Sequence, residues 1–418
     1  MGTMTETLAL NGGPRAVRAP LPGFLHSDGR TFGQEEENLL LEALRSGCLT
    51  RNGGTMVRKL ETSFSERLRT THTVACSSGS SAVHLAVAAL DPEPGDEFIV
   101  PPITDIGSIL PVIWQNCIPV FADVDSRTLT IDPTDVESRI SDRTRAIIAV
   151  HLAGQPCDMD ALRSIADRRK VALIEDCAQA YWAEHNGRLV GTLGDMACFS
   201  LQQSKHITCG EGGLLSTSNS DYAQRALLFS DKAWPRDQSA LGSWRFLFLS
   251  QNYRMSELQG EVALGQLPKI MSIVERRRTR AQQLSRLLTN VPGISAPDVP
   301  ADTNPAWWLY MLHLDPDVLG VSTKEFGQAL LAEGVPGWVE YIVDPLYCSP
   351  VFAEFKTYGS SGYPFTAWPG QKFARGLCPK AERALSRVIA LQWNENYTES
   401  HVLQIAGAIA KVASHFRR

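Results

Sequence analysis

The stretch CFSLQQSKHITCGEGGLLST, residues Cys198 to Thr217, places one lysine between two apolar segments. The segments Ala197–Leu201 and Gly213–Thr217 have the length and composition of strands. Between them, Lys205 lies in a polar loop and precedes a glycine-rich turn at residues 210–213. A lysine that is desolvated in such a loop binds its proton less tightly and can attack a carbonyl carbon. Because loop lysines are common, this interpretation needs support from another part of the chain.

That support comes from VALIEDCAQA, Val171 to Ala180, in which an apolar strand ends at Glu175-Asp176. In open α/β sheets, ligands bind beyond the carboxyl ends of the strands, so we expect Asp176 to face the ligand crevice. A carboxylate there can keep a pyridine nitrogen protonated, which makes the ring of pyridoxal 5'-phosphate (PLP) an effective electron sink. The lysine and the carboxylate together indicate a PLP site.

The spacing of these residues resembles that of one enzyme family. Asp176 and Gln179 form Asp-x-x-Gln, Ser200 stands five residues before Lys205, and Gly-Glu-Gly-Gly follows the lysine. In these motifs the chain resembles, over nearly its whole length, the PLP-dependent sugar aminotransferases of the DegT/DnrJ/EryC1/StrS family. The segments EDCAQA and FSLQQSK are most similar to the branch that aminates keto-cyclitols and keto-sugars for aminoglycoside antibiotics.

The resemblance implies a role for each of these residues. Lys205 would form a Schiff base with PLP and then move the proton between the donor's Cα and the cofactor's C4′. Asp176 would stabilise the protonated pyridine nitrogen, Gln179 would lie near the ring hydroxyl, and Ser200 would bind the phosphate. The reaction would be a ping-pong transamination with glutamine or glutamate as donor.

A serine-rich turn, residues 77–81, opens an apolar helix after a short strand that ends at Cys76. Such a turn exposes backbone N–H groups at the positive end of the helix dipole, where phosphate can bind. By themselves the serines favour a simple helix cap, since serine is a common N-cap residue. The resemblance implies instead that Gly79, Ser80 and Ser81 bind the phosphate of PLP.

A second polar residue with two interpretations is Asn252, in the segment from Leu249 to Leu267. By itself it could cap the helix that follows. The resemblance implies that Asn252 reaches the phosphate of the neighbouring subunit's cofactor. The chain would then form a homodimer with shared active sites.

Two positions depart from the family's pattern. Family members commonly carry an aromatic residue that stacks on the cofactor where this chain has Asp105. Asp105 cannot stack, so either another residue covers the cofactor or the carboxylate contacts substrate. Tyr181-Trp182 stand where smaller or imidazole side chains are usual. Tyr181 either shapes the substrate pocket or packs in the core.

Four further residues have core and functional interpretations. Trp307 to Leu314 predicts a strand with Trp308 and Tyr310 on one face, a stripe more typical of core packing than of a site. The resemblance implies substrate contacts in the later loop from Trp338 to Tyr347, which makes Tyr341 a candidate substrate residue. His206, next to the lysine, is expected to point away from it and to pack structurally.

Alternating strands and helices predict a three-layer α/β fold with a mainly parallel sheet. The resemblance implies the fold-type I PLP-dependent transferase, with a large PLP-binding domain over residues 1–270 and a smaller α/β domain over residues 271–418. An irregular N-terminal arm covers residues 1–30. The absence of Gly-x-Gly-x-x-Gly after the first strand argues against a nicotinamide-binding Rossmann fold. Strands are predicted at Glu97–Val100, Ile118–Phe121, Ala146–His151 and Val171–Ile174.

The composition excludes several classes of protein. With 44% hydrophobic and 20% charged residues and a net charge of -5, the chain favours neither nucleic acid nor membrane partners. The basic run from Glu275 to Arg280 is expected to be a solvated helix face. Nine cysteines without Cys-x-x-Cys spacing indicate free thiols in a reducing compartment, and no metal site is expected. With no signal-like N-terminus, we expect a cytoplasmic protein.

The leading hypothesis is an aminotransferase that acts on a keto-cyclitol or keto-sugar in aminoglycoside-type metabolism. The same residues suit a nucleotide-sugar aminotransferase or an amino-shikimate (3-amino-5-hydroxybenzoate-type) enzyme, which differ only in the substrate pocket. A related sugar dehydratase has histidine in place of the lysine, so Lys205 argues against it. Lys205, Asp176 and Ser200 argue against a catalytically idle PLP-binding accessory protein. Asp105, which cannot stack on the cofactor, is compatible with one.

Overall fold

The larger of three sheets has seven strands in the order β1-β9-β8-β5-β4-β2-β3. The computed structural model describes residues 6–236 and 245–417. Strand β9 pairs antiparallel with both β1 and β8, and the other neighbours are parallel. The strands are β1 (His72–Cys76), β2 (Glu97–Val100), β3 (Ile118–Phe121), β4 (Thr144–Val150), β5 (Ala172–Asp176), β8 (Met196–Ser200) and β9 (Gly213–Thr217).

The central strands of this sheet are buried on both faces. In β4, Ala146, Ile148 and Val150 face one hydrophobic cluster, whereas Ile147 and Ala149 face the other. Alternate residues of a strand point to opposite faces, so a strand covered on both sides is apolar along its length. The predicted three-layer, mainly parallel fold is therefore confirmed.

Helices supply the outer layers. None of those within residues 6–236 and 245–417 combines the length and apolar character needed to cross a membrane. The α-helices span Gln34–Ser46, Met56–Leu68, Gly79–Ala89, Leu110–Trp114, Pro133–Arg139, Met159–Arg169, Ser220–Ser230, Glu257–Gln266, Ile270–Leu288, Pro316–Leu319, Thr323–Ala332, Pro350–Ala353, Pro379–Leu385 and Glu399–Phe416.

A smaller α/β unit follows the large sheet. Its four strands lie in the order β10-β12-β14-β13, and a third sheet joins β11, β6 and β7. Leu8 and Val17, from the N-terminal arm, are buried in the same cluster as the strands of this unit. The predicted division at residue 270 stays a prediction. The remaining strands are β6 (Glu184–His185), β7 (Arg188–Leu189), β10 (Ile294–Ser295), β11 (Thr303–Asn304), β12 (Leu309–Leu314), β13 (Gly337–Trp338) and β14 (Val388–Gln392).

Strand β12 begins two residues later than predicted. Trp307 has a left-handed backbone with φ of 54°, which interrupts the alternation of side chains before the strand starts. Tyr310 consequently stacks on Trp307 and packs in the core of the smaller unit. Trp308 belongs to the other cluster, with Met311. The prediction that Trp308 and Tyr310 share a face is wrong.

The basic run from Glu275 to Arg280 in helix Ile270–Leu288 is only partly a solvated face, which corrects a second prediction: Glu275 and Arg276 are exposed, whereas Arg277 and Arg278 are buried. Arg277 is 1% exposed, pairs with Glu395 at 2.6 Å and donates to the Trp393 carbonyl oxygen at 2.8 Å. Arg278 is 6% exposed and donates to the carbonyl oxygens of Trp182 and Pro305. Buried guanidinium groups require such partners, and charge counts along a sequence do not show them.

Candidate active site

A cavity of about 340 Å³ lies at the carboxyl ends of β5 and β8, against the start of helix Gly79–Ala89. Ligands of open α/β sheets bind at this edge. The cavity brings together most of the predicted site residues, which come from four separate segments of the chain. They are Gly79, Ser80, Asp105, Asp176, Gln179, Ser200 and Lys205.

Lys205 lies in the loop between β8 and β9, where its N–H donates to the Gln202 carbonyl oxygen at 2.9 Å. Its side chain is buried, and Nζ lies 3.9 Å from the centroid of the Trp308 ring. Burial lowers the pKa of Lys205 to about 8, while the carboxylates of Asp176 and Asp105 act in the opposite direction. An amine with this pKa is partly deprotonated near neutral pH, as a nucleophile or base requires.

Asp176 is the last residue of β5 and is 5% exposed. It accepts hydrogen bonds from Ser108 Oγ at 2.7 Å and from the Ala178 N–H at 3.0 Å. Burial raises the pKa of Asp176, whereas these two bonds and the charge of Lys205 lower it. A protonated ring nitrogen would supply the positive partner that offsets the cost of burying this carboxylate.

The serine turn both caps its helix and opens it toward the cavity. Ser78 Oγ accepts the Ser81 N–H at 3.0 Å, which is the N-cap bond that the serines by themselves predicted. Gly79 lies so close to Ser200 that a Cβ at this position would meet the Ser200 Cβ at 2.7 Å. Gly79 and Ser80 line the cavity together with Ser200, so the start of the helix faces it.

Ser81 is the exception among the predicted phosphate contacts. Its hydroxyl bonds to the hydroxyls of Ser77 at 3.0 Å and of Ser78 at 2.8 Å. The side chain is buried in the turn and does not line the cavity, whereas Ser78 does. The Ser81 side chain thus fastens the turn, its contact to the phosphate stays a prediction, and Ser78 is a further residue of the turn at the cavity.

The residues present fit PLP. Backbone donors at a helix start and the Ser200 hydroxyl suit a phosphate, a buried carboxylate at Asp176 suits a pyridine nitrogen, and the amine of Lys205 suits an aldehyde. Gly107 also lies close to the serine turn, since a Cβ at Gly107 would meet Ser80 Oγ at 2.2 Å.

Gln179 lines the cavity and contacts Tyr341, which lines a neighbouring cavity. Gln179 Oε1 accepts the Ala153 N–H at 2.6 Å, and its Nε2 lies 3.4 Å from the Tyr341 hydroxyl. The Tyr341 ring packs edge-on against Trp308 with centroids 6.3 Å apart. Burial raises the pKa of Tyr341, so its hydroxyl stays protonated and can donate.

Tyr181 and His206 lie behind the cavity. Tyr181 is fully buried, donates to the Ser200 carbonyl oxygen at 3.0 Å and packs against Phe199. The predicted substrate contact of Tyr181 is therefore corrected, because its side chain packs in the core and fixes the main chain of Ser200 through this hydrogen bond. His206 Nε2 lies 2.9 Å from the Ala306 carbonyl oxygen and is also buried, in keeping with its predicted packing role.

Asn252 does not line the cavity of its own chain. It is exposed and pairs with Asp231 in an isolated antiparallel bridge. Its predicted reach to a neighbouring subunit stays a prediction.

Among the cavity residues missed from the sequence, two contact Asp176 or Lys205 directly. Ser108 follows β2 and binds Asp176, and Trp308 comes from the smaller unit and covers Lys205. A polar residue just beyond a strand end was a usable signal for Ser108. Trp308 had no such signal, because the stripe around it was interpreted as core.

One buried cluster elsewhere has metal-ligand chemistry but does not fit a metal. The ligand atoms of His151, Glu175 and Cys177 all lie within 4.8 Å of one another. His151 Nδ1 accepts the Cys157 N–H at 3.0 Å, and Nε2 lies 3.1 Å from Glu175. Because hydrogen bonds already occupy both ring nitrogens, this network is structural.

The chain matches known proteins over almost all of its length. The DegT/DnrJ/EryC1/StrS aminotransferase family matches residues 30–410. The spore coat polysaccharide biosynthesis protein SpsC of Bacillus subtilis is 33% identical over 340 residues, which are 80% of this chain and 86% of SpsC. A candidate L-glutamine:3-amino-2,3-dideoxy-scyllo-inosose aminotransferase of Streptoalloteichus tenebrarius is 34% identical over 339 residues, 79% of each chain.

A solved structure shows the same fold. The aminotransferase from Psychrobacter cryohalolentis superposes with a TM-score of 0.82 at 27% identity, covering 93% of this chain and 98% of that one. The family match over residues 30–410 is consistent with the residues that line the cavity, where a buried lysine and a buried carboxylate lie near the start of a helix. The chain belongs to the DegT/DnrJ/EryC1/StrS aminotransferase family and is a PLP-dependent aminotransferase.

Proposed function

We propose that this enzyme moves an amino group from glutamine or glutamate to the ketone of a cyclitol or sugar in aminoglycoside-type secondary metabolism. The observation that carries the proposal is the buried amine of Lys205, held in one cavity with Asp176 and the serine turn. The similarity to the Streptoalloteichus tenebrarius protein, whose name specifies L-glutamine and an inosose, supports this donor and acceptor.

When bound, PLP supplies an aldehyde for the donor's amino group and a ring that withdraws electrons from the donor's Cα. The N–H groups of Gly79 and Ser80 and the hydroxyl of Ser200 would bind the phosphate at the start of the helix. Asp176, oriented by Ser108, would hold the proton on the ring nitrogen. Gln179 would contact the side of the ring that carries the hydroxyl.

Lys205 moves the proton. In the first half-reaction it would carry a proton from the donor's Cα to the cofactor's C4′, and in the second it would carry a proton from C4′ to the acceptor carbon that becomes aminated. A pKa of about 8 makes both the neutral amine and the ammonium form available near neutral pH. The Trp308 ring excludes water from one side of the amine and stabilises its cationic form.

The acceptor is recognised at the open side of the cavity. Asp105 is exposed, and only its Oδ1 is used, accepting the Gly107 N–H at 2.8 Å within the described part of the chain. We assign the Asp105 carboxylate and the Tyr341 hydroxyl to substrate hydroxyls, since Trp308 already supplies an aromatic surface in the cavity. A polyol ketone offers hydroxyl donors to Asp105 and acceptors to Tyr341.

A cytoplasmic homodimer completes the proposal. Asn252 is exposed on its own chain and is assigned to the phosphate in the partner's site. Large apolar side chains are exposed in two segments, residues 41–49 and 246–249, and suit a buried interface: Leu41, Leu44, Leu49, Phe246, Leu247 and Leu249. The molecular mass in solution tests this: a monomer under assay conditions would contradict the shared site.

The decisive experiment follows the two half-reactions by absorbance. The PLP-loaded enzyme is mixed with L-glutamine, and we expect its visible band to bleach. Keto-cyclitols such as scyllo-inosose, and nucleotide-linked keto-sugars, are then tested for return of the band. Return only with nucleotide-linked sugars would favour a sugar acceptor, the alternative that the likeness to SpsC supports. A band that no amino donor changes would contradict the proposal, and Lys205→Ala is the inactive control.

A further inference from the structure

The loop that carries Lys205 is held from outside at four consecutive residues, 203–206. From the smaller unit, Trp308 Nε1 donates to the Ser204 carbonyl oxygen at 2.9 Å. The Ala306 carbonyl oxygen lies 2.9 Å from His206 Nε2. Two neighbours of the lysine are thus fixed by one short segment just before β12.

The other two residues are held by the N-terminal arm. Gln203 Nε2 donates to the Phe24 carbonyl oxygen at 2.8 Å. Arg30 Nη1 donates to the carbonyl oxygen of Lys205 itself, also at 2.8 Å. The arm therefore bonds to the main chain of the residue that bears the reactive amine.

Arg30 is buried in a position where its charge costs folding free energy. It is 7% exposed, and burial lowers its pKa to about 10, with Glu395 opposing and Arg277 adding to the effect. Its Nε and Nη2 atoms have no hydrogen-bond partner within residues 6–236 and 245–417. A buried guanidinium that is only partly paired costs stability. A residue that lowers stability is expected to serve function, and the bond that links Arg30 to the active site is the one to the Lys205 carbonyl oxygen.

The arm that presents Arg30 is itself anchored. Asn394 Nδ2 donates to the Gly29 carbonyl oxygen at 3.1 Å, and Asn396 Nδ2 donates to that of Asp28 at 2.7 Å. The guanidinium therefore projects from a fixed main chain, and its position is transmitted to the carbonyl of Lys205.

We propose that Arg30 is a positioning residue for the transamination. By holding the carbonyl of Lys205, it fixes the direction in which the lysine side chain leaves the main chain and hence where Nζ meets the reacting carbons. A displacement of about 1 Å in such a group can cost about 10²-fold in rate. The inference rests on the proposed role of Lys205.

The test compares Arg30→Gln with a matched control, Arg278→Gln. Arg278 is equally buried and donates to main-chain carbonyls, but no hydrogen bond of the described residues joins it to the lysine loop. We expect Arg30→Gln to lower kcat of the donor half-reaction about 10- to 100-fold with little change in KM. Arg278→Gln should keep kcat within about twofold, since surviving contacts hold the loop.

Two further readouts separate positioning from general destabilisation. In the full chain without cofactor, hydrogen exchange of the peptide over residues 201–209 should accelerate in Arg30→Gln and not in Arg278→Gln. Added guanidinium ion should restore part of kcat to Arg30→Ala, and Arg30→Lys should lie between Arg30→Gln and the wild type.

Equal kcat and equal exchange at residues 201–209 in Arg30→Gln and Arg278→Gln would overturn the inference. Should Arg30→Gln fail to fold, Arg30→Lys and Gln203→Ala, which removes the arm's other bond to the loop, are compared in the same way. Full activity in Lys205→Ala would instead overturn the proposed function, so the two failures are distinguishable.

Discussion

Replacing Lys205 by methionine should abolish transamination and, in the cofactor-free protein, stabilise the fold. Methionine has nearly the length of lysine without the ammonium group, so it fills the same space beneath Trp308. The buried amine is a group that function requires and that stability does not.

The magnitude follows from the pKa of Lys205. Lowering it from 10.5 to about 8 corresponds to about 3 kcal/mol of unfavourable free energy for the charged form in the folded state. The interaction with the Trp308 ring recovers about 1 kcal/mol of this. We therefore expect Lys205→Met to raise the free energy of unfolding by about 1 to 3 kcal/mol at pH 7.

The sign of the pH dependence is also fixed. The folded chain binds the proton more weakly than the unfolded chain, so the penalty is full below pH 8 and disappears as the pH rises toward 10.5. The difference between Lys205→Met and wild type should shrink over that window. Urea unfolding of both proteins without PLP, at pH 7 and pH 10, measures it.

Lys324→Met provides the control, because Lys324 is exposed and its substitution should leave stability within about 0.5 kcal/mol at both pH values. A less stable Lys205→Met at pH 7, or a difference that does not change with pH, would refute the reasoning.

Three other substitutions test neighbouring parts of the site. Asp176→Asn should lower kcat about 10²- to 10³-fold, measured in the donor half-reaction, because a neutral amide cannot stabilise a protonated ring nitrogen. Ser108→Ala removes a bond that lowers the pKa of Asp176, so the acid limb of the pH–rate profile should move to higher pH; an unchanged limb would contradict this. Tyr181→Phe should cost about 1 kcal/mol in unfolding free energy and leave KM for the acceptor unchanged, since among residues 6–236 and 245–417 its hydroxyl bonds only to the Ser200 carbonyl oxygen; a raised KM would restore the substrate contact.

The predictable parts of the site are those set by local sequence. The apolar run that ends at Asp176 is a buried strand, and the lysine loop lies between two strands, as their composition indicated. Both residues reach the cavity because strand ends of a mainly parallel sheet meet at one edge. Gly79 and Ser80 reach the cavity for the same reason, because the helix that they begin follows the end of β1.

The unpredictable parts are contacts between distant segments. Trp308 bonds to Ser204 across 104 residues, and Arg30 bonds to Lys205 across 175. No periodicity encodes such pairs, and the positive φ of Trp307 places Trp308 before the strand, so that it does not share a face with Tyr310. The burial of Arg277 was missed for a related reason, since its partner Glu395 lies in the last part of the chain.

The anchoring of the arm has a consequence for the order in which the protein becomes active during synthesis. The large sheet and Lys205 are complete once the chain through β9 has left the ribosome, and N-terminal domains generally fold first. Asn394 and Asn396, which hold the arm, emerge much later, as does Lys411, which donates to the Pro14 carbonyl oxygen. A nascent or prematurely terminated chain can therefore build its sheet and still lack the fastening of its reactive amine.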